Sequence, residues 1–159
     1  MKTQPKVSQW VMMGSGLVTL IFSFLAFYKF GVDGFGSKSY SAWSTDAFFP
    51  LSTIPAIFGI LVAGAVAAEV FGNMKLPEEI LTFNKVQALF VLAFTSAMIM
   101  IGFLLVSTTG ASKGIGFWFM LLGSLGLVAG TVMELTGAGG GTMGSAGGGS
   151  SQAGPTTPF

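Results

Sequence analysis

Residues 86–107, VQALFVLAFTSAMIMIGFLLVS, carry no charged side chain and no proline. A helix rising about 1.5 Å per residue needs about 20 such residues to cross a hydrocarbon core about 30 Å thick. The stretch therefore reads as a membrane-spanning helix. Three further apolar runs of spanning length accompany it, at about 10–30, 49–71 and 116–135, with charged residues only near their ends. A backbone in lipid must satisfy its own hydrogen bonds, and the sequence shows no series of alternating strands of barrel type. The expected fold is all-α and integral to the membrane: a four-transmembrane-helix bundle over residues 1–136. The remainder, 137–159, is Gly/Ser-rich and too poor in apolar surface to offset the entropy of ordering, so a disordered tail is expected.

Composition supports this and removes many alternatives. The chain has 159 residues, 52% hydrophobic and 8% charged, against about 25% charged in soluble domains. All seven basic residues are Lys, and neither Cys nor His occurs. Disulfides, thiolate metal sites and cysteine nucleophiles are excluded, and so is the commonest general base. A net charge of +1 gives nucleic acid no basic face to bind. No metal or cofactor is expected.

With four spans, Lys2, Lys6, Lys75 and Lys85 share one membrane side and Lys29, Lys38 and Lys113 the other. The positive-inside bias then puts both termini in the cytoplasm. Lys2 and Lys6 precede the first span as in a secretory signal, but the apolar run is too long and lacks a cleavage motif, so a retained helix is expected. In the second connection, Pro77 can open a short helical turn, with Glu78 and Glu79 at its favourable end. TTGASKGI, at 108–115, reads as a tight turn.

Several motifs invite function. Gly139–Gly144 matches G-x-G-x-x-G, yet it follows a membrane helix and opens no βα unit, so it reads as linker. Glu69 and Glu134 are the deepest carboxylates, both near helix C-termini on the Lys6/Lys75/Lys85 side, where the helix dipole disfavours an anion. They are candidates for interfacial pairing with Lys or for an ion or proton site. Gly126 and Gly130 form G-x-x-x-G, with Gly123 on the same face. Gly59, Ala63 and Ala67 form a second small-residue stripe. Such stripes let helices approach closely, within the bundle or toward a partner. Pro55 lies near the start of its span, where a kink is possible.

The loop 31–50 is long for a helix connection and aromatic. Tyr28, Tyr40, Trp43, Phe48 and Phe49 suit a collar at the headgroup level. Within it, Ser44, Thr45 or Asp46 can cap the following helix. Tyr40, Trp43 and Asp46 are candidates for outer-loop recognition. A serine nucleophile there has no His, only Asp33, Asp46, Lys29 and Lys38 nearby, so no enzyme is expected.

Ser23-Phe24-Leu25-Ala26-Phe27-Tyr28 and Ser41-Ala42-Trp43 resemble motifs of small four-span membrane proteins common in actinobacteria. Ala26-Phe27 stands where those proteins carry Pro-Trp. The resemblance covers roughly residues 10–136 and implies a multi-pass protein of the bacterial plasma membrane, with no activity to carry over. The expected role is a non-catalytic accessory or scaffold subunit of a larger membrane-protein complex. The expected partners are membrane lipid and either that complex or a homo-oligomer. The rival is a small oligomeric transporter or channel using Glu69 and Glu134, with Thr95, Ser96 and Thr131 as polar steps.

Overall fold

A computed structural model describes residues 5–32, 36–45, 49–72, 79–80, 83–106 and 111–138. Its elements in order are α1 (Val7–Ser23), β1 (Ala26–Val32), β2 (Gly36–Ser41), α2 (Ile54–Phe71), β3 (Glu79–Ile80), β4 (Phe83–Asn84), α3 (Lys85–Leu105), β5 (Ala111–Lys113) and α4 (Ile115–Leu135). The helices form a ring in which α1 packs on α2 and α4, and α3 packs on α2 and α4, with α2 and α4 also touching across the diagonal. The three helices α2, α3 and α4 are long and apolar enough to cross a membrane. Helix α1 has 17 residues, about 25 Å at the usual rise, which is the short end of a span.

The all-α expectation is corrected by two sheets. The run expected to be helical to residue 30 stops at Ser23, and residues 26–32 become β1. This strand pairs antiparallel with β2 on one side and β5 on the other, giving the order β2-β1-β5. Lys29 faces Ser39 and Ser112 across the ladder, while Tyr28 faces Tyr40 and Lys113. The physical reason is the period-two alternation of Tyr28, Lys29 and Phe30, which suits a sheet with one covered face. Beneath it Phe27, Tyr28, Phe103 and Phe117 are buried, and the Phe27 ring meets Phe103 and Phe117 edge-on at 5.4 Å. Tyr28 is thus a core residue, packed with Phe117, and not a member of an interfacial collar. Within the segment expected as a turn at 108–115, Ala111–Lys113 forms β5, which stitches the α3–α4 connection to the α1–α2 connection; residues 108–110 lie outside the described residues.

Of the helical turn expected after Pro77, Glu79 is corrected too: Glu79–Ile80 pairs antiparallel with Phe83–Asn84 at the opposite end. Helix α3 then starts with a capping box. The Asn84 side chain accepts from the Val86 N–H, and Gln87 Oε1 accepts from the Asn84 N–H, each at 3.2 Å. Helix α2 begins at Ile54, five residues later than expected, so Ser44 and Thr45 do not cap it. Thr53 is the N-cap residue and Pro55 lies in the first turn, where a missing N–H costs nothing and no kink is required. Asp46, Pro77 and Glu78, the G-x-G-x-x-G stretch and the tail beyond Ala138 lie outside the described residues.

The α1 seam explains the small residues. A Cβ on Gly123 would lie 2.2 Å from Thr19 Oγ1, one on Gly126 2.3 Å from Ser15 Oγ, and one on Gly130 2.6 Å from Met12 Cγ. On the other flank, a Cβ on Gly16 would lie 2.4 Å from the Gly59 carbonyl oxygen and 2.6 Å from Ala63 Cβ. Both stripes read from the sequence therefore meet α1 within the chain, as close packing in lipid demands.

Candidate functional site

Four charged side chains at the β3–β4 end, Lys6, Glu69, Lys85 and Glu134, converge on one cavity. Helix ends of all four helices frame it: Lys6 precedes α1, Glu69 lies in the last turn of α2, Lys85 starts α3, and Glu134 is next to last in α4. Lys85 Nζ donates to Glu69 Oε1 at 2.5 Å, and Lys6 Nζ donates to Glu134 Oε1 at 3.0 Å. Ser8 Oγ donates to the second oxygen of Glu134. The Lys6 N–H is fixed by Gln9 Oε1 at 2.9 Å, so α1 presents Lys6 from an anchored first turn. The cavity holds about 330 Å³ and has an apolar wall of Met12, Val66, Val70, Val86 and Leu89.

The signs around this ring follow a pattern. Going from α1 to α4 they are plus, minus, plus, minus, and every one opposes its helix dipole. Lysines sit at helix N-termini, which carry partial positive charge, and glutamates sit at C-termini, which carry partial negative charge. Each misplacement costs about 0.3–1 kcal/mol when exposed. Pairing across helices offsets that cost, and the partly buried groups gain most. Side-chain exposure is 18% for Glu134 and 23% for Lys85, against 49% for Lys6. Chemically the ring offers two cations and two carboxylates, which together carry no net charge.

The other sequence candidates do not join this site. Tyr40 lies on β2, where Phe30 packs edge-on at 5.6 Å and Lys38 Nζ sits 5.4 Å from its ring centroid. Trp43 is tied down: its indole N–H donates to Ser23 Oγ at 2.8 Å, and its ring stacks on Phe24 at 5.6 Å. The polar steps of the transport reading are engaged locally. Thr95 Oγ1 donates to the Val91 carbonyl and Thr131 Oγ1 to the Leu127 carbonyl, while Ser96 Oγ donates to the Pro55 carbonyl at 3.5 Å. Among the described residues no buried side-chain nitrogen or oxygen lacks a partner.

Sequence reasoning named Glu69 and Glu134 but passed over Ser8 and Gln9. Their signal was spacing: Ser8 and Met12 fall on the α1 face that packs on α4, and Gln9 is three residues after Lys6, as a capping box requires. No family model, curated protein or solved structure matches this chain.

Proposed function

We propose that this chain is a non-catalytic, four-span protein of the bacterial plasma membrane, with both termini in the cytoplasm, serving as an accessory or scaffold subunit of a larger membrane complex. The observation that carries this reading is the division of labour in the bundle. Gly123, Gly126 and Gly130 and the Gly59–Ala63 stripe are taken up in packing on α1, and among the described residues no buried side-chain nitrogen or oxygen lacks a partner. The β2-β1-β5 sheet instead presents a hydroxyl-rich, open-edged platform. Ser37, Lys38 and Ser39 of β2 are exposed, and among the described residues β2 pairs only with β1. An open edge of this kind accepts an added strand from a partner. Purification from native membranes in mild detergent, followed by the mass of the intact particle, tests the proposal. The expected result is a particle that contains other chains besides copies of the 16.4 kDa chain. A homogeneous homo-oligomer without a companion overturns it.

The convergence of Glu69 and Glu134 on one cavity favours a second reading, an oligomeric transporter that uses both carboxylates. Flux into liposomes separates the two. Unchanged flux after Glu69→Gln with Glu134→Gln sinks the transport reading.

A further inference from the structure

We infer that the charged cavity at the β3–β4 end is a binding site for the headgroup of an ethanolamine phospholipid, a zwitterion that pairs a phosphodiester with a primary ammonium. Three observations carry this beyond the scaffold reading.

The first is charge balance. Lys6 and Lys85 stand on opposite sides of the ring from one another, alternating with Glu69 and Glu134. The two ion pairs bring the ring to zero net charge, and a ligand of net charge would add an uncompensated charge to a partly buried site. A zwitterion supplies an anion to the lysines and a cation to the glutamates without altering the net charge. When the site is empty the four groups hold one another in place, so little reorganisation is needed on binding.

The second is the kind of cation. Among the described residues no aromatic side chain lines the cavity, and its described walls offer a quaternary ammonium no ring face. Carboxylates that already accept hydrogen bonds from Lys Nζ suit a cation that also carries N–H donors. A primary ammonium meets this condition and a trimethylammonium does not.

The third is position. The exposed rings of Trp10, Phe71 and Phe83 lie at this same end, and Trp10 and Phe71 meet edge-on at 6.3 Å. Exposed aromatics of this kind mark the headgroup level of a bilayer. From Trp10 an open apolar groove of about 390 Å³ follows the α1–α4 seam past Gly14 and Val18 to Leu122 and Gly123. An added Cβ on Gly14 would meet nothing within 4 Å, and that space accommodates an acyl chain beside the seam that ends in the Lys6–Glu134 pair.

The test is competitive lipid retention by the full-length protein, read by native mass spectrometry in detergent. The probes are ethanolamine, choline and glycerol phospholipids of the same acyl chains, with glycerophosphoethanolamine titrated separately. The ethanolamine lipid is expected to be retained about tenfold over each of the others, equivalent to about 1.4 kcal/mol. Glu69→Gln leaves the ring with an excess positive charge and should reverse the preference toward the anionic glycerol lipid. Lys85→Gln should instead weaken both. Binding of glycerophosphoethanolamine alone would place the recognition in the headgroup, and binding of the lipid alone would show that the groove contributes; both outcomes support the zwitterion site. Equal retention of the three lipids by the native chain, or an unchanged preference in a folded Glu69→Gln protein, overturns it. Neither result bears on whether a partner chain co-purifies, so failure here is distinguishable from failure of the scaffold reading.

Discussion

At the sheet end, three strands from two separate connections are laced together over the buried rings of Phe27, Tyr28, Phe103 and Phe117. At the charged end, only a two-residue hairpin is present among the described residues, and the helix termini are joined by two ion pairs. The forces differ in kind. Aromatic packing and a strand ladder are insensitive to salt and pH and cannot rearrange without loss of the core. Ion pairs at a water-facing end contribute about 0–1 kcal/mol each and can exchange partners. One end is held by a packed core, the other by charged groups that can exchange partners. The function proposed for each end follows from that contrast.

The comparison is broken most forcefully by removing a ring from the sheet end. Phe117→Ala takes away a fully buried side chain and should cost about 3–5 kcal/mol, measured by denaturant or thermal unfolding in a fixed detergent. Glu69→Gln should cost no more than about 1 kcal/mol in the same assay. If the two losses are equal, the ends are not mechanically distinct.

The seam between the ends should respond next. Gly123→Ala drives a methyl to within 3.0 Å of the Ser15 carbonyl oxygen as well as against Thr19. Backbone cannot swing aside, so a loss of about 1–3 kcal/mol is expected. Gly64→Ala is the control. Nothing lies within 4 Å of its added Cβ, and the helix propensity of Ala should raise stability by up to about 1 kcal/mol. A thermal shift of the same sign for both variants would show that the seam is looser than the glycine contacts imply.

How far this contrast could be read beforehand differs between the two ends. Helices α3 and α4 begin and end within about two residues of the runs seen in the sequence, because uninterrupted apolar length is a local signal. Strand β1 was hidden. Ala26–Val32 continues an apolar run, and its partners are a polar strand, Gly36–Ser41, and three residues at 111–113. Neither partner alternates apolar residues, and the second lies far along the chain. Only the interleaving of Tyr28 and Phe30 with Lys29 hinted at a strand. At the charged end, Glu69 and Glu134 were legible from depth and from their opposition to the helix dipoles. Which lysines they pair with was not. Lys6, Lys75 and Lys85 were equivalent in the sequence; Lys75 lies outside the described residues, and the pairing of Lys6 and Lys85 depends on which helix ends dock side by side.

A smaller effect is expected where the sheet end meets the loop. Trp43→Phe preserves the stack on Phe24 but removes the N–H that bonds Ser23 Oγ at 2.8 Å. The lost hydrogen bond should cost about 1 kcal/mol. Ser23 is buried, but its hydroxyl also donates to the Leu20 carbonyl at 2.6 Å, so it is not orphaned. The readout is the unfolding midpoint, with Trp43→Ala as the larger reference change. Equal losses for the two would mean that the ring contributes nothing beyond its hydrogen bond.

The least destructive change sharpens the comparison by leaving every ion pair in place. Exchanging all four charges, with Lys6→Glu, Glu69→Lys, Lys85→Glu and Glu134→Lys, keeps the alternation around the cavity and sets each charge at the helix end its dipole favours. Partial exposure screens the gain and Ser8 loses its carboxylate, so the net stabilisation should be about 1 kcal/mol or less. Exchanging only Glu69 and Lys85 is the informative control. It still permits the α2–α3 pair but sets Lys6 next to a new cation and Glu134 next to a new anion, and stability should then fall. A fall in the first protein together with a rise in the second would mean that the pairs act independently. The ring would then be two separate clasps, and the case for a site that selects a zwitterion would lose its foundation. A rise in the first and a fall in the second, both shrinking in high salt, would show that the four charges act as one unit. The natural order of signs would then be maintained against the helix dipoles, as expected where a ligand rather than stability sets the arrangement.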